Sequence, residues 1–405
     1  MSCLRRTEKN TYKYIIVFFA CQSMSRSAFL SSCPVNVAEK DRNTDSGTAY
    51  NKRTAIHSFS GSVPMLYFQS DYLEGCDPAI LKVMTESNLD QTPGYGQDVW
   101  CDLARRRIRE AVGLPDADVH FLVGGTQTNS TVIRGLLRNY EGVISAETGH
   151  VCGHEGGAIE ATGHKVLTIP MKDGKISAEG IEACWRAYAD DESRDHLVRP
   201  GMVYLSHPTE LGTLYKKSEL ESIYAVCQRL HLPLFIDGAR LGYGLASPAS
   251  DLTLGEIARL CDVFYIGGTK VGALMGEAVV VPNPALLPHF FTTMKQSGAV
   301  LAKGRLLGIQ FATLFEHQRY LKIAGHAIDM ARKLTAAFRE KGYRFYLETE
   351  SNQIFIIMKN ADVQRLEPYV MFTHWGPLNE EEQIVRFVTS WATREENVEQ
   401  LIKLL

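Results

Sequence analysis

Phe264-Tyr-Ile-Gly-Gly-Thr-Lys270-Val-Gly-Ala-Leu274 is a short apolar run that opens into a glycine-loosened turn carrying one lysine. The residues leading in, Asp262-Val-Phe-Tyr-Ile266, are β-branched and aromatic. That is the composition of a strand buried on both faces, as in a parallel sheet. Gly267, Gly268 and Gly272 remove side chains from around Lys270, so a flat ring or another backbone can approach closely. A lysine amine held there and partly desolvated can form a Schiff base. Taken alone, a lysine among glycines is an ordinary solvated loop residue.

A second stretch changes the reading. Leu234-Phe-Ile-Asp237-Gly-Ala-Arg240 is another buried-type strand, and it ends in a carboxylate. Lys270 follows 33 residues later, about one βαβ unit. Ligands of open α/β sheets sit outside the carboxyl ends of the strands, so one pocket can hold both Asp237 and Lys270. Pyridoxal phosphate needs this pair: a lysine for its aldehyde and a carboxylate for its pyridinium nitrogen. Without the lysine, Asp237 reads equally well as a helix cap or turn residue.

At 405 residues the chain allows two or three domains. Its 45% hydrophobic and 22% charged content is ordinary for a globular protein with a large core. A net charge of −3 argues for neither nucleic acid nor an anionic membrane surface, and no such partner is expected. The nine cysteines include no C-x-x-C pair, so no zinc or redox motif is present, and scattered thiols suit a reducing compartment. No apolar run approaches the ~20 residues that span a bilayer. Near the start, basic residues precede Ile15-Ile-Val-Phe-Phe-Ala20-Cys21, which resembles a truncated secretory signal. The alternatives are an unstructured extension or a true start at Met24, and a cytoplasmic protein is expected. Residues 38–62 are polar and expected to be unstructured, so 1–62 is set apart from the fold.

From Met65 onward the pattern is ordered. Asp77 before Pro78 marks a helix start, and 99–112 reads as a helix whose Arg105, Arg106 and Arg107 form a solvated face. The strand at 119–123 runs into Gly124-Gly-Thr126-Gln-Thr-Asn129, with a helix expected over 130–139. Strand, Gly-Gly-Thr turn and helix start form a phosphate-binding arrangement. The turn is neither a Walker loop nor a G-x-G-x-x-G fingerprint. A strand at 142–146 leads to His150 and His154, four apart. With no third ligand nearby, a metal site is not expected, and His150 is better placed to stack on a flat cofactor or take a proton. Strands at 165–170, 201–205, 234–237, 262–266 and 278–281 alternate with helices, so about seven strands form a mainly parallel sheet covered on both faces. The 201–205 strand meets Ser206-His207-Pro-Thr-Glu-Leu-Gly212. Helices follow over 286–296 and 301–341, and Lys303 and Arg305 are candidate anion contacts. The tail alternates again, as a small α+β unit with antiparallel strands. Residues 63–300 are expected to be a large cofactor-binding domain and 301–405 a small one.

Gln69-Ser-Asp, Tyr95-Gly-Gln-Asp, Gly124-Gly-Thr, His150-Val-Cys-Gly-His-Glu-Gly-Gly-Ala, Asp237-Gly-Ala-Arg and Thr269-Lys-Val-Gly occur in this order. The set resembles the low-specificity threonine aldolase and β-eliminating lyase group of pyridoxal-phosphate enzymes, over about residues 65–400. The resemblance implies the aminotransferase-like fold type I, and a dimer or tetramer whose active sites draw on two subunits. It also implies roles. Lys270 would carry the Schiff base, Asp237 would partner the pyridinium, and His150 would stack on the ring. Gly125, Thr126 and Lys303 would hold the phosphate, while Ser70, Arg240 and Arg386 would hold the substrate carboxylate. His207 would lie near the substrate hydroxyl. The chain departs from the pattern in Val271 after the lysine and in the spacing around His207. The implied reaction is retro-aldol cleavage of a β-hydroxy-α-amino acid, with His150 or His207 as base. The alternatives are β-elimination from an amino acid, releasing ammonia and a 2-oxo acid, and a non-catalytic ligand-binding relative.

Overall fold

The apolar runs become strands because each is short, β-branched or aromatic, and bounded by turn residues. A computed structural model describes residues 65–405; the signal-like stretch and the polar segment before Met65 lie outside the described residues. Thirteen strands occur among them: β1 Leu66–Tyr67, β2 Asp118–Leu122, β3 Glu141–Ala146, β4 Val166–Ile169, β5 Arg199–Ser206, β6 Leu234–Asp237, β7 Val263–Gly267, β8 Glu277–Val281, β9 Arg344–Leu347, β10 Gln353–Lys359, β11 Val370–Met371, β12 Thr373–Pro377 and β13 Glu382–Val388.

Seven of these form one sheet in the order β2-β8-β7-β6-β5-β3-β4. Only β8 runs against its neighbours; the pairs β7–β6, β6–β5, β5–β3 and β3–β4 are parallel. Every residue of β3, β6, β7 and β8 is buried. Side chains alternate between two cores: Val203, Ile236, Phe264, Ile266 and Val280 pack on one face, and Tyr204, Phe235, Val263, Tyr265 and Val279 on the other. A sheet covered on both faces has no polar side to offer, which is why its strands read as unbroken apolar runs.

The helices follow their caps. Asp77 accepts from Ala79 N at 2.8 Å and starts the helix Pro78–Glu86. Asp98 does the same for Val99–Val112. Of the three arginines expected on a solvated face, Arg106 is exposed, but the other two are not free. Arg105 donates to the carbonyls of Gly96 and Val119, and Arg107 to Ala312 O and Glu316, fastening the helix to its neighbours. The helix expected at 130–139 spans Gly125–Leu136 instead. Gly124 is extended, so Gly125-Thr126-Gln127 form the first helical turn rather than a loop before it. The long helix expected over 301–341 is two, Arg305–Leu314 and Arg319–Glu340, broken where His317 and Gln318 take positive φ.

The tail forms a four-stranded antiparallel sheet, β12-β13-β10-β9. The first strand belongs beside it: β1 pairs in parallel with β11, and Leu66 and Phe68 share a core with Ile354, Phe387 and Leu334. The segment Gln69-Ser-Asp71 therefore leaves this core and enters the edge of the large sheet.

Candidate active site

Parallel neighbours end at the same edge, so the residues following β5, β6 and β7 gather there. Glycine brings them closer still. A Cβ at Gly238 would lie 1.9 Å from Tyr265 O, and one at Gly267 only 2.3 Å from Ala239 O. The ends of β6 and β7 thus pack backbone against backbone. The cleft at this edge, with about 370 Å³ of empty volume, is lined by Gly125, His150, Glu210, Asp237, Arg240 and Lys270 among others. A larger open hollow beside the helix Arg319–Glu340 gathers no comparable set of groups.

Asp237 is the most heavily bonded side chain in the cleft. Its Oδ2 accepts from Tyr204 Oη at 2.6 Å and Asn129 Nδ2 at 2.9 Å; its Oδ1 accepts from the Tyr265 hydroxyl and from Ala239 N at 3.0 Å. Burial alone pushes the carboxyl up, but His150 and the three side-chain donors outweigh it and hold Asp237 below its usual 3.8. Both tyrosines are buried beside a carboxylate, which drives their hydroxyls far above the usual 10 and keeps them donors.

His150 begins the short helix after β3. Its Nδ1 lies 2.8 Å from Glu155 Oε1, a carboxylate oxygen that also accepts from Asn129 Nδ2 at 2.6 Å. A carboxylate only accepts, so Nδ1 carries a proton, and in the neutral ring Nε2 is the acceptor. The backbone N–H of His150 donates to Glu210 Oε1 at 2.8 Å.

Lys270 ends the β7 turn. Burial, then Arg240, pull its amine below 10.5; Asp71, Asp237 and Glu277 act the other way but do not prevail. A lysine so placed is readily neutral, the state a nucleophile needs. Glu277 lies behind the turn, accepting from Thr269 Oγ1 at 2.8 Å and Gly268 N at 3.1 Å, and burial raises it to about 8.

Arg240 is gripped bidentately by Asp71, Nε to Oδ2 at 2.7 Å and Nη2 to Oδ1 at 3.0 Å. Arg386, on β13, reaches Gln353 Oε1 at 3.1 Å and Thr373 Oγ1 at 3.3 Å, and lies over the Trp375 ring. Burial and then Arg240 lower it to about 10. Gln69 O accepts weakly from Arg386, at 3.5 Å, while Asp71 holds Arg240, so Ser70 sits in the chain between the residues that touch the two arginines. Among the described residues, Ser70 Oγ and Arg386 Nε are buried without a hydrogen-bond partner. Orphaned groups beside two cations fit a carboxylate brought by a ligand.

Of the expected site residues, Ser70, Thr126, Arg386, His207 and Lys303 are not among those lining the cleft, and the last two point elsewhere. His207 is fully buried and turned away from it: Nδ1 accepts from Tyr215 N at 3.4 Å, the ring faces Tyr215, and burial lowers it to about 4. Its neighbours Ser206, Pro208, Thr209 and Glu210 line the cleft instead. Lys303 is exposed on the turn before the helix Arg305–Leu314, away from the cleft lining. Arg305, its companion as an anion contact, is spent on the carbonyls of Asn88 and Asp90. Thr126 sits in the first turn of Gly125–Leu136, where backbone N–H groups lack helical partners.

Asn129, Glu155, Glu210, Asp71 and Glu277 were not singled out from sequence. Asn129, Glu155 and Asp71 lie inside the motifs quoted above, where they pass for turn and helix residues. Glu210 closes the Ser-His-Pro-Thr-Glu turn and Glu277 opens an apolar strand; neither has a local signal.

The residues fit pyridoxal phosphate. Asp237, kept ionised by four donors, suits a pyridinium; the desolvated Lys270 suits an aldehyde; the free N–H groups at Gly125 suit a phosphate. Fold and cleft together define a protein of the fold-type-I, aminotransferase-like class. The chain is 14% identical to Thermus thermophilus aspartate aminotransferase with a TM-score of 0.63, covering 84% of this chain and 91% of that one, a likeness of fold alone. A family model described as beta-eliminating lyase matches residues 68–361, and the chain belongs to that family. It is 31% identical over 343 residues to a low specificity L-threonine aldolase of a Pseudomonas species, covering 82% of this chain and 95% of that one. It is 44% identical to the threonine aldolase of Leishmania major in its solved structure, with a TM-score of 0.81 and coverage of 84% and 98%.

Proposed function

We propose that this chain is a pyridoxal-phosphate-dependent aldolase that cleaves β-hydroxy-α-amino acids such as L-threonine or L-allo-threonine to glycine and an aldehyde. The observation that carries this reading is the single cleft that holds Lys270, Asp237, His150 and Arg240 together. When bound, the cofactor supplies an electron sink for the pair left at the substrate's α carbon.

The chain's own residues do the rest. Lys270 would hold the aldehyde carbon of the cofactor, Asp237 would keep its pyridine nitrogen protonated, and Gly125 and Thr126 would hold its phosphate. Ser70, Arg240 and Arg386 would hold the substrate's α-carboxylate, and two cations at fixed positions would fix the orientation of the bonds at the α carbon. His150 Nε2 takes the β-hydroxyl proton as the Cα–Cβ bond breaks, with Glu155 fixing the ring through Nδ1. Such a base contributes ~10²–10⁴-fold. The α carbon then takes a proton to give glycine. In this reading residues 63–300 form the cofactor domain and 301–405 a smaller one, and the protein works in the cytoplasm as a homodimer or homotetramer. Among the described residues, no helix is long and apolar enough to cross a membrane.

The family match also favours a second reading. Removal of the α proton by Lys270, with loss of a β substituent, would give ammonia and a 2-oxo acid from the same constellation. Product analysis separates the two: the loaded protein is given L-allo-threonine and L-threonine, and acetaldehyde with glycine is assayed against ammonia with 2-oxobutanoate. The first pair is expected. The second moves the protein to the eliminating lyases, and loss of borohydride trapping of the cofactor in Lys270→Ala checks the lysine.

A further inference from the structure

A ring of hydrogen bonds runs around the floor of the cleft. Asp237 Oδ2 accepts from Tyr204 and Asn129; Asn129 also donates to Glu155; Glu155 holds His150 Nδ1. His150 N donates to Glu210 Oε1, the Ser206 hydroxyl donates to the same oxygen, and Tyr204 Oη lies 3.2 Å from Ser206 Oγ, a contact that brings the two ends of the chain together with both hydroxyl protons already given to carboxylates. Three of its members are carboxylates. Asp237 has four donors, two on each oxygen. Glu155 has two, both on Oε1, and among the described residues its Oε2 is buried without a hydrogen-bond partner. Glu210 likewise takes both donors on Oε1 and, among the described residues, has no bond to Oε2, but it lines the cleft, as Glu155 does not. The loop that carries it is pinned by Thr209 and Thr213, whose hydroxyls lie 2.7 Å apart.

Like charges in one low-dielectric ring cannot all persist, and the proton settles where an oxygen lacks a donor. Glu155 Oε2 and Glu210 Oε2 both lack one, but Glu155 faces the ring N–H of His150, so Glu210, with its free oxygen on the cleft, is the carboxyl that takes the proton. Burial, then Asp237, also push this carboxyl up from its ordinary 4.5. The groups that face it are Ser206 and Tyr204 of β5, Asp237 of β6, His150 from the segment after β3 and Tyr215, with Arg240 and Lys270 also lining the cleft.

We propose that Glu210 enters the cofactor-loaded protein as a neutral acid whose Oε2–H donates to the phenolic oxygen of the ring. The proposal rests on the reading of the cleft given above. Ring chemistry supplies the direction. The pyridine nitrogen and the aldehyde carbon lie at opposite ends of the ring, and the phosphate arm and phenolic oxygen on opposite edges. Asp237 and Lys270 take the ends. The helix start at Gly125, reached from β2, takes the phosphate edge. In sheet order β2 and β5 lie on opposite sides of β6, so the other edge faces the turn after β5, where Glu210 stands.

The test is a pH titration of the visible absorption of the full-length, cofactor-loaded protein, which reports the proton on the lysine–cofactor nitrogen. A donor to the phenolic oxygen favours loss of that proton, so removing the donor raises the midpoint. Glu210→Ala is expected to raise it by about one unit, a tenfold change in the proton equilibrium. Glu210→Asp, an acid withdrawn by one methylene, is expected to raise it as well, and it carries the test if the alanine variant fails to fold. Glu210→Gln, neutral and still a donor, is expected to stay within about 0.3 unit of wild type. An ionised Glu210 predicts the opposite sign, since Ala and Gln both remove a negative charge and lower the midpoint. That result overturns the proposal, as does a midpoint unmoved in every variant. Wild-type protein that takes up no pyridoxal phosphate overturns the reading of the cleft itself, which keeps the two failures apart.

Discussion

Asp71→Asn is the substitution whose effect the structure determines most directly. The Asp71 side chain has no solvent exposure, and it accepts two bonds from Arg240 and one, at 3.0 Å, from Asn352. Asparagine keeps the shape and one acceptor oxygen but removes the charge. The guanidinium, itself only 14% exposed, is left without a counter-charge. Removing one partner of a buried pair costs ~3–5 kcal/mol, and the retained oxygen places this case near the lower end, about 3 kcal/mol. Urea unfolding of the cofactor-free protein at pH 7 measures it. Arg240→Met in the same chain removes the stranded charge, so the double variant is expected to lose less than the sum of the singles. The sign with pH follows from the ionisation. Burial raises Asp71, but Arg240 and Lys270 overcome it and hold it below 3.8. Its contribution is therefore complete above 3.8 and lost as the pH falls through the lower folded value, so the deficit of the asparagine variant shrinks in acid. A loss under about 1 kcal/mol at pH 7, or strict additivity in the double variant, refutes the reasoning.

The two histidines separate cleanly. His150→Asn is expected to lower kcat by ~10²–10⁴-fold, whereas His207→Asn, which touches only the core beside Tyr215, leaves kcat/KM within about threefold while lowering stability; equal losses of rate would restore His207 to the reaction. Glu277 offers a pH test of the opposite kind from Asp71. Burial sets its folded value at about 8 against an ordinary 4.5, so the folded protein keeps a proton that the unfolded chain sheds, and stability falls as the pH rises through that window. The slope is up to about 1.4 kcal/mol per pH unit. Glu277→Gln has no such proton to lose, so it gains on wild type between pH 5 and pH 9; a flat difference would show that Glu277 does not titrate there.

The sheet was legible because its strands obey one rule. Val263–Gly267 and Leu234–Asp237 are buried on both faces, so nearly every position is apolar, and the lysine and the aspartate stand out where the apolar run stops. The residues around those two were less legible. Asn129 was expected in a loop before a helix; with Gly124 extended, the helix starts at Gly125 and carries Asn129 between two carboxylates. The arginines 105 and 107 read as solvated because helical spacing places them off the apolar stripe, but their long stems reach carbonyls on neighbouring elements.

The sequence by itself determined the fold class, the order of the strands along the chain and the chemistry of the pair Asp237 and Lys270. These depend on local composition and on spacing within a βαβ unit. Only the tertiary structure decided which members of the turn after β5 face the cleft: His207 is buried against Tyr215, while Glu210 lines the cleft and accepts from Ser206 at the end of β5. A turn outside a strand has no period of two or 3.6 to say where a side chain points, and its direction is set by what the neighbouring strands leave room for.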